Sequence, residues 1–308
     1  MNSKLMWYII KRLLLTVVTI YLIITITFFV MHAIPGGPFL GERAITPEVT
    51  AALEEKYGLD VPLFGQYTNY LSDLIKFDFG PSIKQRGREV VDIILDGFKT
   101  SAKLGLVASS IAITFGISFG SIAAIKRNKM IDRTIMVSTT AFVAMPSFVL
   151  GSFFLIVFCV IWPIFPPNGA LPGGLVLPTI ALALYPTAYI TRLTRSSMLD
   201  VLKQDYIRTA QAKGVSQVLV IFKHALKNAL IPVITYVGPM IAYILTGSLV
   251  VEKIFSVPGL GRAFISSITN RDYPMIMGTT IFLATLVVLM NLVSDVMYKV
   301  VDPRIDFS

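Results

Sequence analysis

The amino-acid sequence predicts an all-α integral membrane protein with six transmembrane helices and with both termini in the cytoplasm. The chain of 308 residues is 55% hydrophobic and only 15% charged, whereas a soluble domain has about 25% charged residues. The charged residues are concentrated between long apolar stretches, and a helix that spans a bilayer needs roughly 20 apolar residues. Apolar core helices of a soluble protein are the alternative, but six such stretches in one chain favour the membrane.

Six stretches of the sequence are read as membrane spans. They are Leu13–Ile34, Ser101–Ile125, Thr134–Trp162, Leu175–Ile190, Ala229–Val251 and Met275–Val300. The fourth stretch is expected to continue to about Met198, because basic side chains at a helix end extend toward the lipid headgroups. The first stretch is too long for the apolar part of a secretory signal, so we expect it to remain as a span.

The basic residues predict the orientation of these spans. Most of the 27 lysines and arginines lie beside the N-terminus, in the 126–133 and 192–227 connections, or near the C-terminus, whereas most of the 18 acidic residues lie in the other connections. Short loops rich in lysine and arginine remain in the cytoplasm. The net charge of +9 is therefore a topology signal, and no nucleic-acid partner is expected.

The spans divide the chain into two blocks and a tail. Residues 1–97 hold the first span and an extracytoplasmic region that is predicted to be helical. Residues 98–300 hold the other five spans, with a cytoplasmic loop at 192–227. Residues 301–308 form a cytoplasmic tail.

Two helices are predicted in the extracytoplasmic region. Thr46-Pro47-Glu48 supplies an N-cap, a first-turn proline and a first-turn acid, and this helix should end at Tyr57 before Gly58. A second helix is predicted from Pro62 to about Phe77, with an apolar side that must pack on something. That side consists of Leu63, Tyr67, Tyr70, Leu71, Leu74 and Ile75. A loosely structured loop is the alternative.

Proline residues interrupt three of the predicted spans. They are Pro146 in the third, Pro178 and Pro186 in the fourth, and Pro232 and Pro239 in the fifth. Each removes a backbone donor and is expected to kink its helix. Kinked helices around a pathway suit a gate, although static kinks are an equal alternative because proline is common in such helices.

The second span also contains glycines near helical spacing. Gly105, Gly116 and Gly120 are expected to let neighbouring helices approach closely. Packing is favoured here over a substrate path.

The spans contain almost no ionisable side chains. Only Lys103 and Asp295 lie near span ends. A carrier coupled to an ion gradient normally has charged groups at the membrane midplane. Ion coupling is therefore disfavoured, and an ion-coupled secondary transporter stays as the alternative from a different functional class.

The sequence also lacks the usual patterns of catalytic and cofactor sites. The segment from Gly36 to Glu42 has no lysine and so does not form a phosphate-binding loop. His32 and His224 are predicted on opposite sides of the membrane, and Cys159 is the single cysteine, so metal or redox chemistry is not expected. No catalytic or metal-binding residues are predicted, and the energy for any transport must come from another protein.

The cytoplasmic loop between residues 192 and 227 has the most informative pattern. Residues Asp200–Lys213 contain good helix formers without proline, and Gly214 fits the left-handed position that ends a helix. Ser216 can then cap a second helix. The apolar residues of that second helix are expected to lie toward the membrane, and they are Val218, Leu219, Ile221, Phe222 and Leu226. An interfacial helix that binds only lipid is the alternative.

The run Asp205–Pro232 resembles the EAA loop of bacterial ABC importer permeases, in its peptide-transporter form. The matching blocks are Tyr206–Gly214 and His224–Pro232. Arg208 stands where the general motif has an acid, so an acid-based contact is not implied. Four further segments resemble family signatures: Pro35-Gly36-Gly37-Pro38, Pro258-Gly259-Leu260-Gly261, Arg271-Asp272-Tyr273-Pro274 and Asp302-Pro303-Arg304.

This resemblance implies the type I ABC importer permease fold, in a B-type subunit of the peptide importers. Such a subunit is a multi-pass protein of the bacterial inner membrane and forms half of a translocation pathway for oligopeptides. The implied partners are a second homologous permease, two ABC ATPase subunits and an extracytoplasmic peptide-binding protein. ATP and Mg²⁺ are used by the ATPases, so this chain is implied to bind no cofactor and not to be an enzyme. Dipeptides, glutathione and nickel are alternative cargoes.

By the same resemblance, the helix around Tyr206–Gly214 is the coupling helix, which sits in a groove of the ATPase and moves as a lever. The residues expected at that contact are Asp205, Tyr206, Arg208, Thr209, Ala210, Ala212, Lys213 and Gly214. The residues that bind substrate are not identified by the sequence.

The outer segment Glu252–Pro274 has two interpretations. Pro258-Gly259 suits a tight turn, and Ala263–Ile268 suits a short helix. A delivery protein docks there together with the 35–97 region, or the segment is an ordinary connection.

Overall fold

The computed structural model describes residues 3–39, 47–245 and 248–301, and the regular structure in these ranges is helical apart from an isolated bridge between Pro81 and Glu89. The helices in chain order are α1 (Ser3–Ala33), α2 (Pro47–Lys56), α3 (Leu63–Ile75), α4 (Val90–Ile125), α5 (Met130–Ala144), α6 (Ser147–Leu155), α7 (Val176–Val201), α8 (Asp205–Ala212), α9 (Gln217–Leu219), α10 (Leu226–Ala229), α11 (Ile231–Leu245), α12 (Leu249–Ile254), α13 (Leu260–Asn270) and α14 (Tyr273–Val301). Wider π-helical turns follow α6 at Ile156–Ile161 and α9 at Val220–Ala225. The all-α prediction is confirmed for these ranges.

The chain forms two compact units. The first contains Met1–Lys99 and Gly259–Thr285, and the second contains Thr100–Pro258 and Leu286–Ser308. The division predicted at residue 97 falls inside α4, which is one continuous helix of 36 residues. The 259–285 segment groups with the N-terminal block, a grouping that the sequence did not predict.

The two helices predicted in the 35–97 region are present in the first unit. α2 lies where the capping pattern placed it and α3 lies where the apolar pattern placed it, and Gly58 between them has a φ of +64°. The predicted N-cap, Thr46, lies outside the described residues. One core cluster of this unit consists of Ile24, Phe28 and Met31 of α1, Tyr67 and Ile83, and Tyr273, Met277 and Ile281 of α14.

The inward side of α3 is narrower than predicted. Tyr67 is buried, and Tyr70, Leu71 and Leu74 pack against the same core. Leu63 and Ile75, at the two ends of the helix, are 42% and 82% exposed. The apolar pattern therefore predicted the packed face correctly only in the middle of the helix.

The third predicted span is broken and not simply kinked. α5 and the segment Ser147–Ile161 meet at an angle of 98°. Met145 is extended between them, with φ −89° and ψ 122°, as expected for a residue before proline. Pro146 lacks the N–H that would bond to the carbonyl four residues earlier. The helix ends at Ala144 for this reason and restarts at Ser147.

The other prolines lie at different positions in their helices. Pro186 and Pro239 lie inside α7 and α11. Pro178 lies in the first turn of α7, where the backbone N–H groups have no helical partner in any case. This proline therefore removes no helical hydrogen bond and gives no reason for the predicted kink. Pro232 is the second residue of α11, and Leu230 separates α11 from α10.

Four described helical stretches are long and apolar enough to span a membrane, or five if the bent pair around Pro146 is one span. They are Ile10–Ala33, Val90–Ile125, Ile231–Ile254 (which includes two residues outside the described ranges) and Tyr273–Val293. α7, the fourth predicted span, has 26 residues and is not among them. Its C-terminal part carries Arg192, Arg195 and Asp200.

Small residues bring α4 close to α7 in the second unit. A Cβ atom at Gly120 would lie 2.6 Å from the carbonyl oxygen of Thr191, and one at Gly116 would lie 2.6 Å from a methyl group of Ile190. Both distances are shorter than a van der Waals contact, so glycine is required for this packing.

Gly120→Ala is accordingly expected to destabilise the second unit, because the new methyl group forces the two helices apart. Overpacking of this kind costs about 1–3 kcal/mol. Thermal unfolding of the purified protein in detergent measures the effect. Gly151→Ala is the matched control, since its Cβ would meet its nearest neighbour, the ring of Phe255, at 3.5 Å, an ordinary contact. Equal unfolding temperatures for the two variants would contradict this account of the helix packing.

Candidate functional site

The segment from residue 205 to residue 229 forms a helix, a glycine turn and a second helical stretch. α8 begins at Asp205 and not at Asp200, because Asp200 and Val201 complete α7. Gln204 then takes an extended conformation, with φ −70° and ψ 149°, and starts the new helix. The observed helix α8 is therefore five residues shorter at its N-terminus than the predicted helix.

Gly214 ends α8 as predicted, with a φ of +77°. The Gly214 N–H donates to the Gln211 carbonyl at 2.9 Å, and the Val215 N–H donates to the Ala210 carbonyl at 3.2 Å. These two bonds form a Schellman motif, which requires a left-handed residue at this position. The direction in which the chain leaves α8 is thus fixed by glycine.

One face of α8 is anchored and the other is exposed. Ile207 is 1% exposed and packs in a cluster with Met198 of α7 and with residues of the following helical stretch. Ala210 is half-buried beside it. The remaining predicted contact residues are exposed: Asp205, Tyr206, Arg208, Thr209, Ala212, Lys213 and Gly214. Arg208 and Asp205 form an ion pair of 3.7 Å on that face, and an exposed pair contributes little stability.

The second helical stretch holds α8 in place. The Ser216 hydroxyl accepts from the Leu219 N–H at 3.4 Å, as the capping prediction required. Val220, Ile221 and Ala225 are buried, whereas Val218, Leu219 and Phe222 are exposed. Of the five apolar residues predicted to lie toward the membrane, Ile221 is thus buried within the protein, and Leu226 packs against the same cluster.

A hydrogen bond that the sequence did not predict joins the two family blocks. The Asn228 side-chain amide donates to the Tyr206 hydroxyl at 2.8 Å. This bond joins the start of α8 to α10, 22 residues further along the chain. Tyr206 is 43% exposed. Its side chain therefore lies on the exposed face of α8, and its hydroxyl also connects α8 to α10.

A second missed feature is an ion pair between α5 and α7. Arg195 donates to both carboxylate oxygens of Asp132, at 2.6 and 2.8 Å, and Asp132 is 3% exposed. The Asn128 N–H donates to the same carboxylate at 2.8 Å. Asp132 is the one acid among the basic residues of the 126–133 connection. This isolated acid was the signal in the sequence that could have indicated an ion pair.

The residues around the break at Pro146 form one wall of a cavity of about 460 Å³ in the second unit. Its other walls are α7 and α11. We call it the tyrosine cavity after three of its lining residues, which are Tyr185, Tyr236 and Tyr243. The rings of Tyr189 and Tyr236 lie 4.3 Å apart, and those of Tyr185 and Tyr189 lie 6.5 Å apart. None of the described residues that line the cavity is charged.

The predicted gating prolines meet only partly at this cavity. Pro146 and Pro186 line it, whereas Pro178, Pro232 and Pro239 are not among the lining residues. No tyrosine was singled out in the sequence, because an aromatic residue in an apolar span is normally a packing residue.

Two of the family signatures contact each other in the first unit. The Arg271 guanidinium donates to the carbonyl of Pro35 at 2.7 Å and to that of Gly37 at 3.4 Å. Asp272 is 2% exposed and accepts from the Ser82 hydroxyl and from the Ile83 N–H. Arg271-Asp272 therefore fixes two distant loops at the start of α14.

The segment between Pro258 and Arg271 is helical over more residues than predicted. α13 covers Leu260–Asn270 and includes the predicted Ala263–Ile268. Arg271 ends it in the left-handed conformation, with a φ of +57°. The remaining signature, Asp302-Pro303-Arg304, lies outside the described residues.

Comparison with known proteins identifies two family models that match the chain. The model of the binding-protein-dependent transport system inner membrane component matches residues 116–307, and the N-terminal model for the membrane component of these systems matches residues 5–105. The first model covers both blocks that resemble the EAA loop, Tyr206–Gly214 and His224–Pro232.

Individual relatives are similar over nearly the whole chain. The dipeptide transport system permease protein DppB of Bacillus subtilis (strain 168) is 48% identical over 299 residues, which are 97% of this chain and 97% of that protein. The oligopeptide transport system permease protein OppB of Escherichia coli (strain K12) is 42% identical over 303 residues, which are 97% of this chain and 99% of that protein.

Solved structures share the fold. A chain from an inward facing structure of the MetNI methionine ABC transporter superposes with a TM-score of 0.56 at 17% identity, covering 68% of this chain and 96% of that one. A chain from an amino acid ABC transporter with histidines gives a TM-score of 0.52 at 17% identity, covering 70% of this chain and 95% of that one.

Proposed function

Because this chain belongs to the family of inner membrane components of binding-protein-dependent transport systems, we propose that it is the permease subunit of an ATP-driven importer of oligopeptides. The observation that carries this proposal is identity of 42–48% over 97% of the chain to permeases of dipeptide and oligopeptide transport systems. The chain forms half of the translocation pathway. Dipeptides are the second candidate cargo, since the DppB and OppB relatives match over the same extent of the chain; glutathione and nickel are the remaining alternatives within the family.

The proposed membrane arrangement has six spans with both termini in the cytoplasm, in the inner membrane of a bacterium. The four apolar helical stretches and the bent pair supply five of these spans, and α7 supplies the sixth. The basic residues of the 126–133 and 192–227 segments support this orientation.

The proposed partners are a second homologous permease, two ABC ATPase subunits and an extracytoplasmic peptide-binding protein. The exposed face of α8 is the proposed ATPase contact, because it combines polar side chains with a backbone that is anchored underneath by Ile207. In this arrangement ATP and Mg²⁺ bind the ATPases, and the permease contributes positioning and no catalytic group.

Reconstitution into liposomes tests the function. The chain with its second permease and both ATPases is expected to take up labelled peptides only when ATP is inside and the binding protein is outside. Peptides of two to six residues distinguish dipeptide from oligopeptide cargo. Uptake by the purified chain alone, driven by a proton gradient, would overturn the proposal in favour of an ion-coupled carrier.

A further inference from the structure

We propose that the tyrosine cavity binds an uncharged stretch of the transported peptide, through the peptide main chain and its apolar or aromatic side chains. This inference rests on the proposed function and assigns substrate-contacting residues, which the sequence left unidentified. It draws on three features of the cavity: its place in the fold, its chemistry and its size.

The cavity lies where the helices of the second unit are interrupted. α5 ends at Ala144 and α6 begins after Pro146, and both helix ends contribute lining residues. On α7, Pro186 has no N–H to donate to the carbonyl of Leu182, and both residues line the cavity. Main-chain groups without their usual helical partners therefore border this space, and a peptide main chain offers complementary N–H and C=O groups.

The side chains that line the cavity complement a neutral ligand. Tyr185, Tyr236 and Tyr243 bring phenol groups, each of which combines a hydrophobic ring with a hydroxyl that donates and accepts. Ser147 adds a further hydroxyl, and Met145 and Met240 add flexible apolar surface. Since the described lining carries no charge, it has no group that would favour one charged peptide side chain over another. Such a site tolerates many peptide sequences.

The volume of about 460 Å³ falls within the range of pockets that hold small ligands, which is about 300–1,000 Å³. A few residues of an extended peptide fit this space, and a folded domain does not. A lipid acyl chain is the competing occupant, and the experiment below separates the two.

Ser147→Asp places a carboxylate at the cavity without disturbing the local helix. Ser147 is the first residue of α6, and an acid in the first turn of a helix is favourable. Uptake is measured in the reconstituted complex for three tripeptides: alanine at every position, or lysine or glutamate at the centre. We expect the ratio of KM for the glutamate peptide to KM for the lysine peptide to rise on the order of tenfold, because a fixed carboxylate at the wall of the cavity repels glutamate and attracts lysine.

Ser147→Asn is the matched control, because asparagine has nearly the same shape as aspartate without the charge. Its ratio of KM values should equal that of the unchanged protein. Since all variants share one binding protein, the selectivity of that protein cancels in the comparison. Equal ratios for the aspartate and asparagine variants would overturn the assignment and would fit a cavity filled by lipid.

A second variant tests the aromatic contact. Tyr236→Leu removes a ring that packs against Tyr189 and lines the cavity, and it is expected to raise KM for a tripeptide with a central phenylalanine more than for trialanine. An equal change for the two peptides would count against a substrate contact. If the unchanged complex takes up none of these peptides, the proposed function itself fails, and that result is distinct from a failure of the cavity assignment.

Discussion

Replacing Gly214 with valine is expected to abolish ATP-driven uptake while the protein still inserts and assembles. Gly214 has a φ of +77° and closes the Schellman motif at the end of α8. No atom outside its immediate neighbours lies within 4 Å of the position that a Cβ would take, so the effect arises from the backbone and not from a clash. A β-branched residue is strongly disfavoured in the left-handed region, and the turn must open to accept it. The exposed face of α8 then points away from its proposed partner.

Two matched variants separate this effect from general strain. Gly214→Asn should retain most uptake, because asparagine tolerates the left-handed conformation. Gly173→Val imposes a similar strain elsewhere: Gly173 has a φ of +79°, and the nearest atom to its Cβ position lies 4.0 Å away. Since Gly173 lies outside both segments considered for the delivery protein, we expect Gly173→Val to keep ATP hydrolysis and uptake coupled. Normal uptake by Gly214→Val, or an equal loss in both valine variants, would show that the turn does not act as a lever.

Local signals predicted the parts of the fold that local interactions determine. The stop at Gly214, the cap at Ser216 and the two helices in the 35–97 region follow from residues within a few positions of each helix end. The long apolar stretches predicted the membrane helices for a similar reason, since a span must satisfy its own backbone.

The features that the sequence did not predict depend on residues far apart in the chain. A proline inside an apolar stretch is compatible with a mild kink or with the 98° break that follows Ala144, and only the surrounding packing distinguishes them. The tyrosine cavity forms because residues near 145, 185 and 240 meet in the fold. Asp132 and Arg195 likewise lie 63 positions apart in the chain, so no local pattern in the sequence predicts their ion pair.

The Asp132–Arg195 pair connects the two features of the second unit to which we assign a role in transport, the tyrosine cavity and α8. α5 runs from Asp132 to the break that lines the tyrosine cavity, and α7 runs from that cavity past Arg195 toward α8. The pair therefore fixes α5 to the helix that precedes α8. A shift of α8 is expected to reach the cavity through both helices together.

Arg195→Ala is expected to cost about 3–5 kcal/mol of stability, because it leaves the carboxylate of Asp132 buried without its main partner. Thermal unfolding in detergent measures this loss, and uptake should fall more than ATP hydrolysis because α5 no longer follows α7. The double variant Asp132→Leu/Arg195→Met replaces the pair with apolar groups and should regain most of the stability but not the coupling, since the directional bidentate bond is absent. If the single and double variants unfold at the same temperature, the cost does not come from a buried unpaired charge. If the double variant also restores uptake, simple packing between α5 and α7 is sufficient to connect the cavity to α8.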